Sequence, residues 1–234
     1  MFGRGFVGGS IRALRGVICA DFNWDCDIMP TIIAEQEVFV MYKAVAFNCS
    51  PRRNGNTNLL LGKVNETLEK EGIVTETVHV GGRPVSGCRA CMWCAENQVR
   101  RCVNDGDFVN AAIEKMIEAD IILIGAPVYF GSLNTEAKAL IDRAGYVARK
   151  NKNMFRRKVG APVIALRRAG ALPAADAIYH FFLLSEMVMT GASYWNMGFG
   201  REPGDAAGDA EGISNMVSLG ENLAWLVKKL KPRG

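Results

Sequence analysis

One polar run, Asn48-Cys49-Ser50-Pro51-Arg52-Arg53-Asn54-Gly55-Asn56-Thr57-Asn58, limits what this chain can fold into more than any other stretch. Ahead of it lies a short apolar segment, Tyr42 to Phe47, whose Ala and Val residues suit a buried strand. Behind it Leu59, Leu60, Leu61, Val64 and Leu68 recur at the spacing of a helix with one wide apolar side. Strand, polar loop and helix start in direct succession make an anion site. The N–H groups of a first helical turn lack intrahelical partners, and the macrodipole adds partial positive charge there. Ser50, Thr57, Asn54, Asn56 and Asn58 add hydroxyl and amide donors, Arg52 or Arg53 adds formal charge, and Gly55 lets the backbone pass close to a ligand. An ordinary Ser/Thr/Asn-capped turn needs far fewer donors, so the loop is read as a phosphate site.

The pattern G-x-x-x-x-G-K-[ST] is missing, which argues against a triphosphate held by a P-loop lysine. A literal G-x-G-x-x-G at Gly3 to Gly8 has no room for a preceding strand and counts as chance. Ser50-Pro51-Arg52 followed by Asn54-Gly55-Asn56-Thr57 resembles the FMN-phosphate loop of the flavodoxin-like NADPH-dependent FMN reductases.

From Met41 onward strands and helices alternate. Strands are expected at 42–48, 73–80, 121–125, 159–166 and near 192–197, with helices at 57–71, 107–118, 135–149, 174–190 and a long last one containing Met216, Leu219, Leu223 and Leu230. Such alternation implies right-handed crossovers and a parallel sheet covered on both faces. Five strands fit the doubly wound α/β order 2-1-3-4-5, with its ligand crevice between strands 1 and 3. Residues 1–40 lack this pattern. They are expected to be either a non-native upstream extension or an arm that packs on a partner, and no secretory signal is expected there, since no stretch offers both an adequate apolar h-region and a small-residue cleavage site. Residues 41–234 then form one domain with a cysteine-rich insertion at 81–105.

The loop after the third strand, Pro127-Val128-Tyr129-Phe130-Gly131, faces the same crevice. Two aromatic rings and a glycine there suit a flat ring. This segment closely resembles the isoalloxazine loop of the same reductases, and the likeness continues through Lys138 to Arg143. Arg167-Arg168-Ala169-Gly170 stands where a third, looser contact is expected. The resemblance spans about 41–200 and implies FMN as cofactor.

The insertion holds Cys88-x2-Cys91-x2-Cys94 and then Cys102. Four thiols so spaced can wrap a [4Fe–4S] cubane, whereas zinc more often uses two C-x2-C pairs a dozen or more residues apart. Metal-free thiols on one side of a short helix, or a redox dithiol, are the other readings. The pattern resembles the iron–sulfur flavoprotein branch of the family. Cys49, Cys19 and Cys26 stand outside it. With seven cysteines and no export signal, a reducing cytoplasm is the expected location.

A net charge of +4 does not call for nucleic acid, and no apolar stretch is long enough for a membrane span. Only His79 and His180 are present, neither in a hydrolase context. Asp105-Gly106-Asp107 resembles the start of a calcium loop without its later ligands and reads as a helix cap. The expected protein is therefore an FMN-dependent oxidoreductase, homodimeric or homotetrameric. Its Cys88, Cys91, Cys94 and Cys102 pass electrons between FMN and a small-molecule or protein carrier. The alternatives are an NAD(P)H-linked FMN or quinone reductase without a cluster, and a non-enzymatic interaction protein on the same fold.

Overall fold

In a computed structural model the chain is described over residues 41–232; the expected extension 1–40, with Cys19 and Cys26, lies outside the described residues. Strand β1 (Lys43–Asn48) leads through the polar loop into helix α1 (Asn56–Lys70) and returns as β2 (Val74–His79). The insertion holds one helical turn, α2 (Trp93–Glu96), and ends at α3 (Val109–Glu118). A long strand β3 (Ile121–Tyr129) turns back as the two-residue β4 (Ser132–Leu133) and enters α4 (Thr135–Lys150). Then follow β5 (Val159–Leu166), α5 (Ala171–Leu184), β6 (Val188–Met189), β7 (Met197–Phe199) and α6 (Ala210–Leu230).

The parallel order is β2-β1-β3-β5, and both β6 and β7 pair with β5 beyond it. This is the expected doubly wound order, with the fifth place shared by two short strands. The single strand expected near 192–197 starts only at Met197, where the Asn196 carbonyl accepts from Ile164 N at 3.0 Å, because Ala192 N bonds the Asn196 side chain at 3.1 Å instead of a strand partner. The intervening residues are thereby pulled out of the ladder.

Alternate residues of the central strands point to opposite faces. Val45, Phe47, Ile122, Ile124 and Ile164 pack under α3, α4 and α5, whereas Ala44, Ala46, Ile121, Leu123 and Val163 pack under α1 and α6. Leu60, Leu61, Leu219 and Leu223 are fully buried in the second layer, each stabilising the fold by about 1.5–3 kcal/mol. The C-terminal ends of β1, β3 and β5 are thus held rigidly side by side, and their loops open on one edge. Among the described residues no helix is long and apolar enough to cross a membrane.

Candidate functional site

The loop after β1 is a tight turn built on its own polar groups. Asn48 Nδ2 donates to Arg53 O at 3.0 Å and to Asn58 Oδ1 at 3.3 Å, while Asn48 Oδ1 accepts from Ser50 N at 3.1 Å. Ser50 Oγ accepts from Arg52 N at 3.2 Å, and Gly55 N closes the turn on Arg52 O at 3.0 Å. Gly55 caps α1 without a side-chain bond, so the first-turn N–H groups from Asn56 onward have no capping side chain. The geometry is that of an anion cradle.

The predicted residues fall into distinct places around it. Ser50 and Thr57 are buried at its floor, and Asn54 and Arg52 lie exposed at its rim. The Arg52 guanidinium donates to Arg201 O at 3.4 Å. Asn58 gives its oxygen to Asn48. Asn56 differs from the expected amide donor: its Nδ2 donates to Glu202 O at 2.9 Å and its Oδ1 accepts from Gly204 N and Ala206 N. It therefore fastens the 201–206 loop to the start of α1 and leaves only its backbone N–H for a ligand. No sequence motif marks 201–206 as part of the site.

Across the crevice, Pro127 and Val128 continue β3, and Tyr129-Phe130-Gly131-Ser132 forms a hairpin turn. Phe130 and Gly131 both have positive φ (47° and 78°), the backbone of a tight primed turn. Tyr129 is half exposed, and Phe130 projects wholly into solvent rather than walling the crevice. Gly170, with φ of +90°, closes the third side. A Cβ on it would lie 2.8 Å from Gly131 Cα and 2.9 Å from Val128 Cγ1, so only glycine lets the two loops meet. Asn134, just past the hairpin, donates to Cys49 O at 2.6 Å and to Glu136 Oε2 at 2.7 Å. Glu136 Oε1 accepts from Gly82 N at 2.9 Å. The start of α4 thus joins the ring loop, the phosphate loop and the beginning of the insertion. Burial first, and then the Glu136 charge, push the Cys49 thiol far up, so it is a neutral core group.

Cys88, Cys91, Cys94 and Cys102 all line one cavity of about 230 Å³. Cys88 and Cys91 are exposed, Cys102 is half-buried, and Cys94 is buried at α2. Ala90 and Met92, between them, take positive φ (51° and 62°), backbone strain that persists only where its surroundings enforce it. The enforcing groups come mostly from α4. Arg143 donates to Ser86 O at 3.3 Å, to Asn104 O at 2.6 Å and to Asp107. Tyr146 OH meets Met92 Sδ at 3.0 Å, and Asn151 Nδ2 reaches Cys94 O at 3.4 Å. Asn110 holds both the N–H and the carbonyl of Cys102, at 2.8 and 3.0 Å. The Trp93 N–H and the Arg89 side chain draw the Cys91 thiol below its ordinary range, whereas burial and then Cys102, Cys88 and Cys91 raise Cys94. Among the described residues no three His, Cys, Asp or Glu side chains lie close enough to hold a single metal ion. Sequence reasoning places Arg143 only in the family-like helix after the ring loop and gives it no part in the cysteine segment, because no local spacing connects it to Asp107.

A polar strand-to-helix loop and a hairpin loop that meet at the switch point of a doubly wound sheet are the architecture of the flavodoxin-like class. The chain belongs to the NADPH-dependent FMN reductase family, whose pattern matches residues 42–202, and within it to the iron–sulfur flavoprotein branch. It is 33% identical over 196 residues to an iron–sulfur flavoprotein of Methanocaldococcus jannaschii, covering 81% of this chain and 99% of that one. A second iron–sulfur flavoprotein, from Methanosarcina thermophila, is 32% identical over 64% of this chain and 77% of its own. Among solved structures, the FerB flavoenzyme NAD(P)H:(acceptor) oxidoreductase of Paracoccus denitrificans matches in fold. Its TM-score is 0.59 at 15% identity, over 81% of this chain and 98% of that chain. The protein is an FMN-dependent oxidoreductase.

Proposed function

We propose that this oxidoreductase moves electrons between FMN in the crevice, a [4Fe–4S] cluster held by Cys88, Cys91, Cys94 and Cys102, and an external small-molecule or protein carrier. One observation carries the reading: four thiols from a fifteen-residue segment line a single cavity. The donor set fits a cluster better than a lone ion. A tetrahedral zinc with Zn–S bonds of about 2.3 Å needs its sulfurs within about 3.8 Å of one another, and no such trio is present among the described residues. Cubane thiolates sit on four different irons and stand farther apart. Burial first, and then the neighbouring thiols, raise Cys94, and a cationic iron core would offset both.

Bound in these places, the flavin supplies two-electron chemistry and the cluster supplies single-electron steps. The chain's own residues supply position. The first turn of α1, with Ser50 and Thr57, anchors a phosphate, while Pro127 to Gly131 and Gly170 shape the ring's seat. Helix α4 fixes both sites at once: Glu136 touches the crevice loops, and Arg143, seven residues further, lies about 10 Å along the same axis. The fully exposed Phe130 and half-exposed Leu183 and Leu184 fit a homodimer or homotetramer, in which such apolar surface is covered.

Anaerobic purification with absorption spectra and assays for flavin, iron and sulfide tests the reading. Bound FMN with about four irons per chain is expected, and Cys91→Ala should lose iron and sulfide yet keep FMN. FMN without iron in the anaerobic protein would replace this reading with the NAD(P)H-linked two-electron reductase.

A further inference from the structure

The cavity that gathers the four thiols has a wall of one-sided charge. Besides the cysteines, its charged lining residues are Arg89 and Arg143, and no carboxylate lines it. Met92, Val103 and Val147 add apolar surface, so a charge there is weakly screened. Arg89 is exposed, whereas the Arg143 side chain is fully buried. Arg143 Nη1 donates to Ser86 O at 3.3 Å and to Asp107, and Nη2 donates to Asn104 O at 2.6 Å. Its Nε–H is buried and bonded to nothing among the described residues. A buried N–H left unmet is rare and costly, so this donor marks a place for an acceptor. The Cys102 thiol stands beside the guanidinium and interacts with its charge. Asn110 fixes the Cys102 backbone there, at 2.8 and 3.0 Å. Asp107 lies outside the cavity's lining, and its Oδ1 accepts from Val109 N at 3.1 Å at the start of α3. The carboxylate's charge is thus shared with a helix start, and the cation stands on the cavity side of the pair.

We propose that Arg143 sets the reduction potential of the [4Fe–4S] cluster, its buried guanidinium donating the unmet Nε–H to cluster sulfur beside Cys102. This role rests on the cluster reading above. Reduction adds one electron to a core already made anionic by its thiolates. A fixed cation and an N–H donor at the sulfur therefore favour the reduced state more than the oxidised one. The electron comes from FMN or the external carrier. The guanidinium keeps its proton in both states, so no proton moves with it. Arg89 carries the same sign of charge, but water and salt screen it. The side chain that ties the cysteine segment to α4 also decides how readily that segment's cluster accepts an electron from the flavin.

Mediated potentiometric titration of the anaerobic, FMN-loaded protein tests this, with the cluster followed by EPR and the flavin by absorption in the same sample. Replacing the ion pair as a whole, by Arg143→Met together with Asp107→Leu, leaves no buried charge alone. The cluster should then be harder to reduce by about tenfold or more, a fall of about 59 mV for one electron. Asp107→Asn leaves the cation uncompensated and should move the potential upward. Arg143→Lys keeps a cation but lacks the Nε–H, and its potential should fall by less than that of the double variant. It also decides the matter if the double variant fails to hold iron. The flavin potential should stay in place throughout. A segment merely loosened by these changes would shift the cluster one way in all of them, so a fall in Asp107→Asn overturns the proposal. Unmoved cluster potentials in the arginine variants, or a flavin potential that moves as far as the cluster's, overturn it too, and the cluster reading then stands. Anaerobic parent protein with FMN but no iron would instead refute the cluster reading, and this role with it.

Discussion

Arg143 and Asp107 form an ion pair with their side chains only 1% and 5% exposed, joining the middle of α4 to the end of the cysteine insertion. The guanidinium also holds the carbonyls of Ser86 and Asn104, so one side chain ties both ends of the cysteine segment to a helix of the core. Burial alone would lower the Arg143 pKa, but its bonds to Asp107 and Cys102 outweigh that and raise it, so the charge is permanent. Removing one partner of a buried pair leaves the other charged and alone, at about 3–5 kcal/mol. Arg143→Met should therefore lower the unfolding free energy in urea by that order. It should also expose 81–105 to protease under conditions where the rest of the chain is resistant. A variant with unchanged urea midpoint and unchanged proteolysis would show that the insertion is held by other contacts.

Arg52 and Asn56 flank the same cradle yet should respond differently. The Arg52 guanidinium has only a long bond to a carbonyl, so it is free to turn onto a phosphate. Arg52→Ala should weaken FMN by about 1.5–3 kcal/mol, the range for hydrogen bonds to charged groups, with little change in stability. Asn56 makes three bonds to 202–206, and Asn56→Ala should destabilise the fold by about 1–3 kcal/mol, the cost of leaving buried partners unmet. Fluorescence titration of FMN alongside urea melts separates the two. The assignment of the cradle fails if Arg52→Ala binds FMN as tightly as the parent.

Local pattern makes much of the fold legible in the sequence. The polar loop is legible because its donors are contiguous, and β5 at 159–166 matches the expected span because charged residues, Lys158 before and Arg167 after, bound its apolar run. Ambiguous pattern is less informative. Apolar residues resume after Ser185 and Glu186 as Met187 to Met189, so the spacing predicts one helix over 174–190; Glu186 takes a φ of 53° instead, and Val188 starts a strand. Pro173 did not delay the helix, because a first-turn proline gives up no intrahelical bond. The Arg143–Asp107 pair spans thirty-six positions, and no local spacing points from one to the other. The same holds for Asn56 and 202–206. Residues that present chemistry cluster along the chain, while those that hold them in place come from distant elements.

Gly81 couples the phosphate loop to the insertion through backbone contact alone. A Cβ there would lie 2.0 Å from Ser50 O and 2.2 Å from Ser50 C, and backbone cannot yield as a side-chain tip does. Gly81→Ala should cost about 1–3 kcal/mol of stability by overpacking. Because the atoms displaced belong to Ser50, FMN affinity should fall as well. Gly62→Ala is the control, since a Cβ at that helical position meets nothing within 4 Å. It should stabilise the fold by about 0.5–1 kcal/mol, the helix-interior difference between Gly and Ala. Equal behaviour of the two variants would show that the loop relaxes freely.

Lys158 sits on the opposite edge of the sheet and should give the fold a distinctive pH dependence. Its ammonium caps the last turn of α3, donating to Ile117 O at 2.7 Å and to Ala119 O, where the helix dipole favours a cation. Burial nevertheless lowers its pKa to about 8, helped by the charge of Lys231 and opposed by Asp120. An unfolded lysine titrates near 10.4. Below pH 8 both states hold the proton, and the burial penalty on the charged form is fully present. Between about pH 8 and 10.4 the unfolded chain binds a proton that the folded chain has released, so stability contributed by this site rises with pH. The difference in unfolding free energy between the parent and Lys158→Met should therefore be flat from pH 6 to 7.5 and grow in the parent's favour from pH 8 to 10. Taking the difference cancels the titration of surface groups common to both. A difference that stays constant, or shrinks, across that window would mean that Lys158 keeps its proton in the fold and that its two carbonyl bonds outweigh the cost of burial.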